Sequence, residues 1–241
     1  MVEPSISTSP VEKLRWKFSI SVAAFHRHHS VNENKFRFFV SPVVLRSVSF
    51  CTSAQVFRGT KKRAEASTPF FTPPGTGIVN LPEAWVVRPE LFRPEEGARY
   101  SAGIHPWWTA EKDRCDAMLH QLPSLLRHPQ VVRVGECGLD RLRGAELPVQ
   151  AEVFAAQVAL AEALRLPLTL HVVRAFDLLL QLRKRLRPTT PWVVHGFRGG
   201  PALARQLLEA GIDLSFGPRR NPGAYDLTPP QRRYEETDGE G

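Results

Sequence analysis

Four short segments of this 241-residue chain carry the residue types that hydrolytic chemistry needs, and they occur in one order. They are VGECGLD at residues 134–140, LTLHVVR at 168–174, WVVHGFRG at 192–199 and ETD at 236–238. Glu136, His171, His195 and Asp238 each follow or end a short run that reads as a strand. A strand's C-terminal tip is where α/β barrels hold their reactive groups. Carboxylate oxygens and neutral imidazole nitrogens together suit a divalent cation that activates water or polarises an ester.

The elements that must carry these residues are legible from residue 67 onward. Residues 78–82 form a short strand stopped by Pro82, and residues 98–104 a second strand ending in the His105-Pro106 turn. A helix over 110–126 precedes a strand at 131–134. An Ala-rich helix over 152–164 leads to a strand at 168–172, and a basic amphipathic helix over 176–186 to a strand at 191–194. A helix over 201–210, closed by Gly211, precedes a strand at 212–216. Strand and helix alternating at such intervals indicate βα units around a parallel sheet, and the length suits one TIM-type (β/α) barrel.

Charge divides unevenly. Residues 1–66 hold 11 Lys/Arg against 4 Asp/Glu and ten of the fourteen serines, whereas residues 67–241 carry a net charge of only +1. The overall +8 therefore says little about nucleic-acid affinity of the candidate catalytic region. The two domains expected are a basic, Ser-rich, poorly ordered extension over 1–66 and a hydrolase barrel over 67–241. The extension reads as a targeting or unstructured segment or as sequence foreign to the domain, with a genuine extra domain as the third reading. Light proteolysis should remove it without loss of secondary structure in the remainder. The three cysteines have no metal-knuckle spacing and form no disulfide framework, which suits the cytoplasm. No apolar run approaches the roughly 20 residues of a bilayer span, so no membrane partner is expected.

The ordered set GIHP at 103–106, GECGLD, LRLPLTLHVVR at 164–174, HGFRG, LSFG at 214–217 and ETD resembles the TatD family of metal-dependent deoxyribonucleases. The resemblance implies a metal-dependent TIM-type barrel that cleaves phosphodiesters, typically as a 3′ exonuclease on DNA using two divalent ions (Mg, Mn or Zn). It implies that Glu136 bridges the metals, that His171 and His195 are imidazole ligands, and that Asp238 is the last-strand aspartate. Asp238 would then act as general base beside Glu136, while His105 and Arg174 would face the substrate phosphate. DNA ends or single strands are the implied substrate, and a monomer is expected.

The sequence departs from the family at both ends. The family's first strand ends in H-x-H, but residues 68–72 read TPFFT, and the only H-x-H is His26-Arg27-His28. Three residues follow Asp238, too few for a covering helix. A barrel incomplete at its first strand and last helix, binding one ion rather than two and turning over weakly, is the alternative. So is an amidohydrolase-like enzyme acting on a non-nucleic-acid ester or amide. Elsewhere the residues read as structural. Trp107 and Trp108 would cover a core edge, and Arg174 would pair with Asp177. Glu152, Glu162 and Arg165 would form a solvated helix face, and residues 183–187 the surface and end of their helix.

Overall fold

The computed structural model describes residues 77–236. The expectations for residues 1–66, for His26 and His28, for residues 68–72 and for Asp238 lie outside the described residues. Within them, strands and helices follow in the order β1 (Ile78–Asn80), α1 (Glu83–Val87), β2 (Arg99–Ala102), α2 (Lys112–Leu126), β3 (Val131–Asp140), α3 (Leu147–Leu164), β4 (Leu168–Val173), α4 (Phe176–Leu186), β5 (Trp192–Val194), α5 (Pro201–Glu209), β6 (Ile212–Phe216), α6 (Pro222–Leu227) and β7 (Arg233–Glu235). The strands form one sheet in sequence order, every neighbouring pair parallel. This is the arrangement of a TIM-type barrel, whose complete form has eight strands. Seven are among the described residues.

The strands that read as unbroken apolar runs are the ones covered by helices. Leu168 and Leu170 of β4, Trp192 and Val194 of β5, and Ile212, Leu214 and Phe216 of β6 are all buried. They share one core with Phe154, Val158 and Ala161 of α3, Leu179 and Leu182 of α4, and Ala204 and Leu207 of α5. Aromatic edges lock this layer, with Phe154 meeting Trp192 at 5.2 Å and Phe197 meeting Phe216 at 5.9 Å between ring centroids. By length and composition α3 is apolar enough to cross a bilayer. Its inner face instead packs into this core and carries two buried glutamines, Gln150 and Gln157.

On the sheet's other face the strands approach closely because their side chains are small. Ser101 Oγ donates to the Gly135 carbonyl at 2.9 Å. Gly135 has φ +152, and a Cβ there would lie 2.6 Å from the Thr169 carbonyl oxygen. Towards the strand starts this face is polar. The Arg133 guanidinium lies over the Tyr234 ring at 5.3 Å, and Arg232 Nε donates to Asp213 at 2.6 Å. Arg133 Nε has no hydrogen-bond partner among the described residues.

Several boundaries differ from the sequence reading. The third strand does not stop at Val134 but runs to Asp140, with a bulge where Val134 pairs with Leu168 and Cys137 with Leu170. Two glycines hide this continuation, because they dilute its β-propensity. The helix expected from residue 152 begins at Leu147, with Pro148 in its first turn, where a missing N–H costs nothing. The last strand, Arg-Tyr-Glu, carries no apolar signal and is held by its ladder to β6.

Two charged residues expected at the solvated surface are structural. Arg183 turns back across the sheet, donating to the Ala210 and Gly211 carbonyls at 3.2 and 3.1 Å with its guanidinium over Trp192. Glu162 accepts the backbone N–H and hydroxyl of both Thr189 and Thr190, which fixes the turn into β5. Burial pushes its carboxyl up, but the hydrogen bonds from Thr190 and Thr189 outweigh that and hold it down at about 2. Glu162→Gln should therefore destabilise the protein by about 2 kcal/mol at neutral pH, read as a lower denaturant midpoint at unchanged slope. Because the folded carboxyl lies below its ordinary value of 4.5, this contribution is complete above that pH. It should vanish as pH falls through about 2, so the two proteins should converge in acid.

Candidate metal centre

At the C-terminal end of the parallel sheet, residues from six strands or their first following positions converge. Asn80 ends β1, His105 follows β2, and Glu136 sits at the bulge of β3. His171 lies in β4, His195 follows β5, and Glu236 follows β7. The bulge turns Glu136 toward this end of the sheet, a common use of an extra residue near a functional site. Gly138 is needed for the same approach: its φ is +138, and a Cβ would fall 2.2 Å from the His171 carbonyl oxygen.

Glu136 is the centre of the group. One of its oxygens accepts a hydrogen bond from Asn80 Nδ2. Its carboxylate faces His105 Nε2 at 3.8 Å, His171 Nδ1 at 3.9 Å and His195 Nε2 at 3.7 Å. These separations are too long for hydrogen bonds. The donor atoms of His105, Glu136 and His171 lie within 4.8 Å of one another, close enough to hold one ion.

The far nitrogen of each imidazole determines what the near one offers. His171 Nε2 lies 3.0 Å from Asp140 Oδ2, and His195 Nδ1 lies 2.9 Å from Glu236 Oε2. A carboxylate only accepts, so each ring donates on that side, and its other nitrogen is the one that faces Glu136. His105 is the reverse. Its Nδ1 accepts the Trp107 backbone N–H at 3.3 Å, which leaves Nε2–H facing Glu136. Burial and the neighbouring His171 lower its pKa to about 3, so it is a neutral donor and not a cation. Distance alone favours His105 as a ligand, but proton placement favours His171 and His195. The proton argument is the stronger, because a ring turning N–H toward a cation cannot ligate it.

The two carboxylates behind the histidines are themselves held. Burial raises Asp140, but hydrogen bonds from Trp107 Nε1 (2.6 Å), His171 and the Leu142 N–H bring it below its ordinary value. Burial likewise opposes Glu236, and His195, the Ser215 hydroxyl (2.6 Å) and the Gly196 N–H (3.1 Å) lower it. Cys137, between the motif residues, is fully buried, and burial pushes its thiol far up, so it is not a ligand.

The sequence had named Glu136, His171, His195 and His105, and the structure brings these four together. Arg174 is exposed and in the left-handed region at φ +50. Its expected pairing is not formed: Asp177 pairs with Arg141 at 3.1 Å, and Arg141 Nε also donates to the Arg174 carbonyl. Trp107 is 43% exposed at the rim, with its ring edge-on to His105 and His171 and the Arg143 guanidinium 4.5 Å above it. It is therefore part of the site, not cover for a core edge.

Asn80, Asp140 and Glu236 were not singled out. The two acids stood inside the quoted motifs, Asp140 at the end of the strand that carries Glu136 and Glu236 directly after the last strand.

Two further residues position the site from behind. Gln157 accepts the Ile104 N–H at 2.7 Å and donates to the Ile104 carbonyl at 3.1 Å, fixing the backbone next to His105. Gln150 does the same for Asp140, at 2.7 and 2.8 Å, and reaches the Arg143 and Ala145 carbonyls.

Comparison with known proteins gives a consistent set of likenesses. The family model for TatD related DNase matches residues 64–234. A protein of Klebsiella pneumoniae (strain 342) named 3'-5' ssDNA/RNA exonuclease TatD is 34% identical over 143 residues, covering 57% of this chain and 52% of that one. An uncharacterized metal-dependent hydrolase TatD of Mycobacterium tuberculosis (strain ATCC 25618 / H37Rv) is 36% identical over 152 residues, covering 57% and 56%. A solved TatD homolog from Escherichia coli k12 superposes with a TM-score of 0.49 at 32% identity, covering 59% of this chain and 56% of that one. The chain spans about half the length of the curated relatives it matches.

Gln157→Leu should leave the Ile104 N–H and carbonyl buried without partners, at a combined cost of about 3 kcal/mol. Chemical denaturation should show that loss, and binding of added manganese should weaken with it.

Proposed function

The chain belongs to the TatD related DNase family, and on that premise we propose that it is a metal-dependent hydrolase that cleaves phosphodiester bonds of single-stranded nucleic acid from the 3′ end. The observation that carries this is the arrangement around Glu136. Its carboxylate lies 3.7 Å from His195 Nε2 and 3.9 Å from His171 Nδ1. Imidazole nitrogen with carboxylate oxygen is a donor set that manganese, zinc and magnesium accept to different degrees. A bound divalent ion would supply Lewis acidity toward a phosphoryl oxygen and toward water.

The protein's own groups have separable tasks. Glu136, His171 and His195 hold the cation, and a pair of ions sharing Glu136 is the fuller form of the same assignment. Asp140 and Glu236 fix the two rings and their proton positions, which sharpens ligand geometry. His105 presents its N–H where a non-bridging phosphate oxygen would accept it. Asp238 keeps the assignment of removing the proton from the attacking water. Arg174, exposed beside the site, is available to pair with a flanking phosphate.

The test uses the full chain with a 3′-labelled single strand. Divalent-dependent release of mononucleotides is expected, lost in Glu136→Gln. Glu236→Gln should retain the fold but bind metal about 10- to 100-fold more weakly. Less than about a tenth of an equivalent of bound transition metal at saturation, with no thermal stabilisation by manganese or zinc, would overturn the proposal.

A further inference from the structure

Beside the candidate metal centre, the loop after β5 (residues 196–200) and the loop after β6 (residues 217–221) line a small open cleft. Its walls include Gly196, Gly217, Arg198, Arg219 and Arg220, and Glu236 joins it to the site.

Three guanidinium groups on two facing loops repel one another unless something anionic lies between them. Arg220 is occupied: it lies 4.2 Å over the Tyr225 ring and 3.7 Å from the Glu235 carboxylate. Arg198 and Arg219 are exposed and form no hydrogen bond or ion pair with a described residue. One oxygen of Glu236 takes His195, Ser215 and the Gly196 N–H, while the other lies toward Gly196 and Gly217 at the inner end of the cleft. The backbone is also open to a ligand, since Gly196 has φ +61 and a Cβ on Gly217 would press on Glu236 at 3.3 Å. Side chains larger than hydrogen at these two positions would narrow the cleft.

We propose that this cleft is a phosphodiester-backbone subsite in which Arg198 and Arg219 hold the phosphate next to the scissile one. The assignment rests on the nucleic-acid hydrolase reading above for its ligand class. The two arginines act as point charges on the backbone and carry no base preference.

The experiment measures binding of a fluorescein-labelled oligothymidylate by anisotropy, using the full chain in EDTA between about 50 and 200 mM salt. Divalent-dependent nucleotide release is measured separately. Each phosphate contact to a single strand contributes about 0.7 to the slope of log affinity against log salt. Arg198→Ala/Arg219→Ala should weaken binding about tenfold at the lowest salt and reduce the slope by about 0.7, the share of one phosphate. Arg198→Lys/Arg219→Lys should keep the slope. Arg127→Ala/Lys184→Ala removes the same charge at the C-terminal ends of α2 and α4 and should also keep it.

An unchanged slope in the first pair, or no strand binding by the unaltered protein, overturns the cleft assignment. Strand binding with the expected slope loss but no nucleotide release leaves the cleft standing and removes the hydrolase reading instead.

Discussion

The geometry of this protein is organised around one crowded contact, the Glu136 carboxylate set among nitrogens of His105, His171 and His195 at 3.7 to 3.9 Å. His171 and His195 each give their ring proton to a carboxylate behind them, Asp140 and Glu236 respectively. Such an arrangement is favourable once a cation sits among the donor atoms. It is reinforced from behind, since each ligand is backed by a polar group and each polar group by backbone donors. Asn80 adds a donor from the first strand, so Glu136 is held from both sides of β3.

Reaching that convergence requires strands closer than ordinary side chains allow. Gly135 and Gly138 bracket Glu136 on β3, and both face the backbone of β4 at distances where a Cβ would clash. The bulge between them lets one short segment place Glu136 inward and still deliver Asp140 to His171. Specificity of this kind resides in backbone approach, so the GECGLD segment tolerates few changes even at positions that touch no ligand.

The sequence made the convergence of Glu136, His171 and His195 readable because types and order were enough: an acid and two histidines, each after a β-branched or leucine run. Asp140 and Glu236 were less readable, since a carboxylate that orients a histidine is the same residue as one that binds a metal. Nothing in spacing separates the two roles. Gln150, Gln157 and Glu162 were hidden for another reason. In an Ala-rich helix the inward polar residues have the same periodicity as solvated ones, and their partners lie on distant strands. The strand at Arg233–Glu235 was unreadable because pairing with β6, and not apolar burial, holds it. Helix and strand alternation from Leu119 to Phe216 was legible in the main, because apolar helix faces and unbroken apolar strand runs mark those elements, whereas the short helix Glu83–Val87 gave no such signal.

Gln150 and Gln157 stand seven residues apart on α3, and seven residues turn an α-helix to within about 20° of two full revolutions. The helix therefore works as a ruler with two marks on one edge, spaced to the gap between the ends of β2 and β3. Inserting or deleting one residue between the marks would swing one amide about 100° away from its strand while leaving the other in place. Length in this stretch is thus more constrained than composition. Descendants of this sequence are free to vary its outward side chains but not the number of residues between its two glutamines.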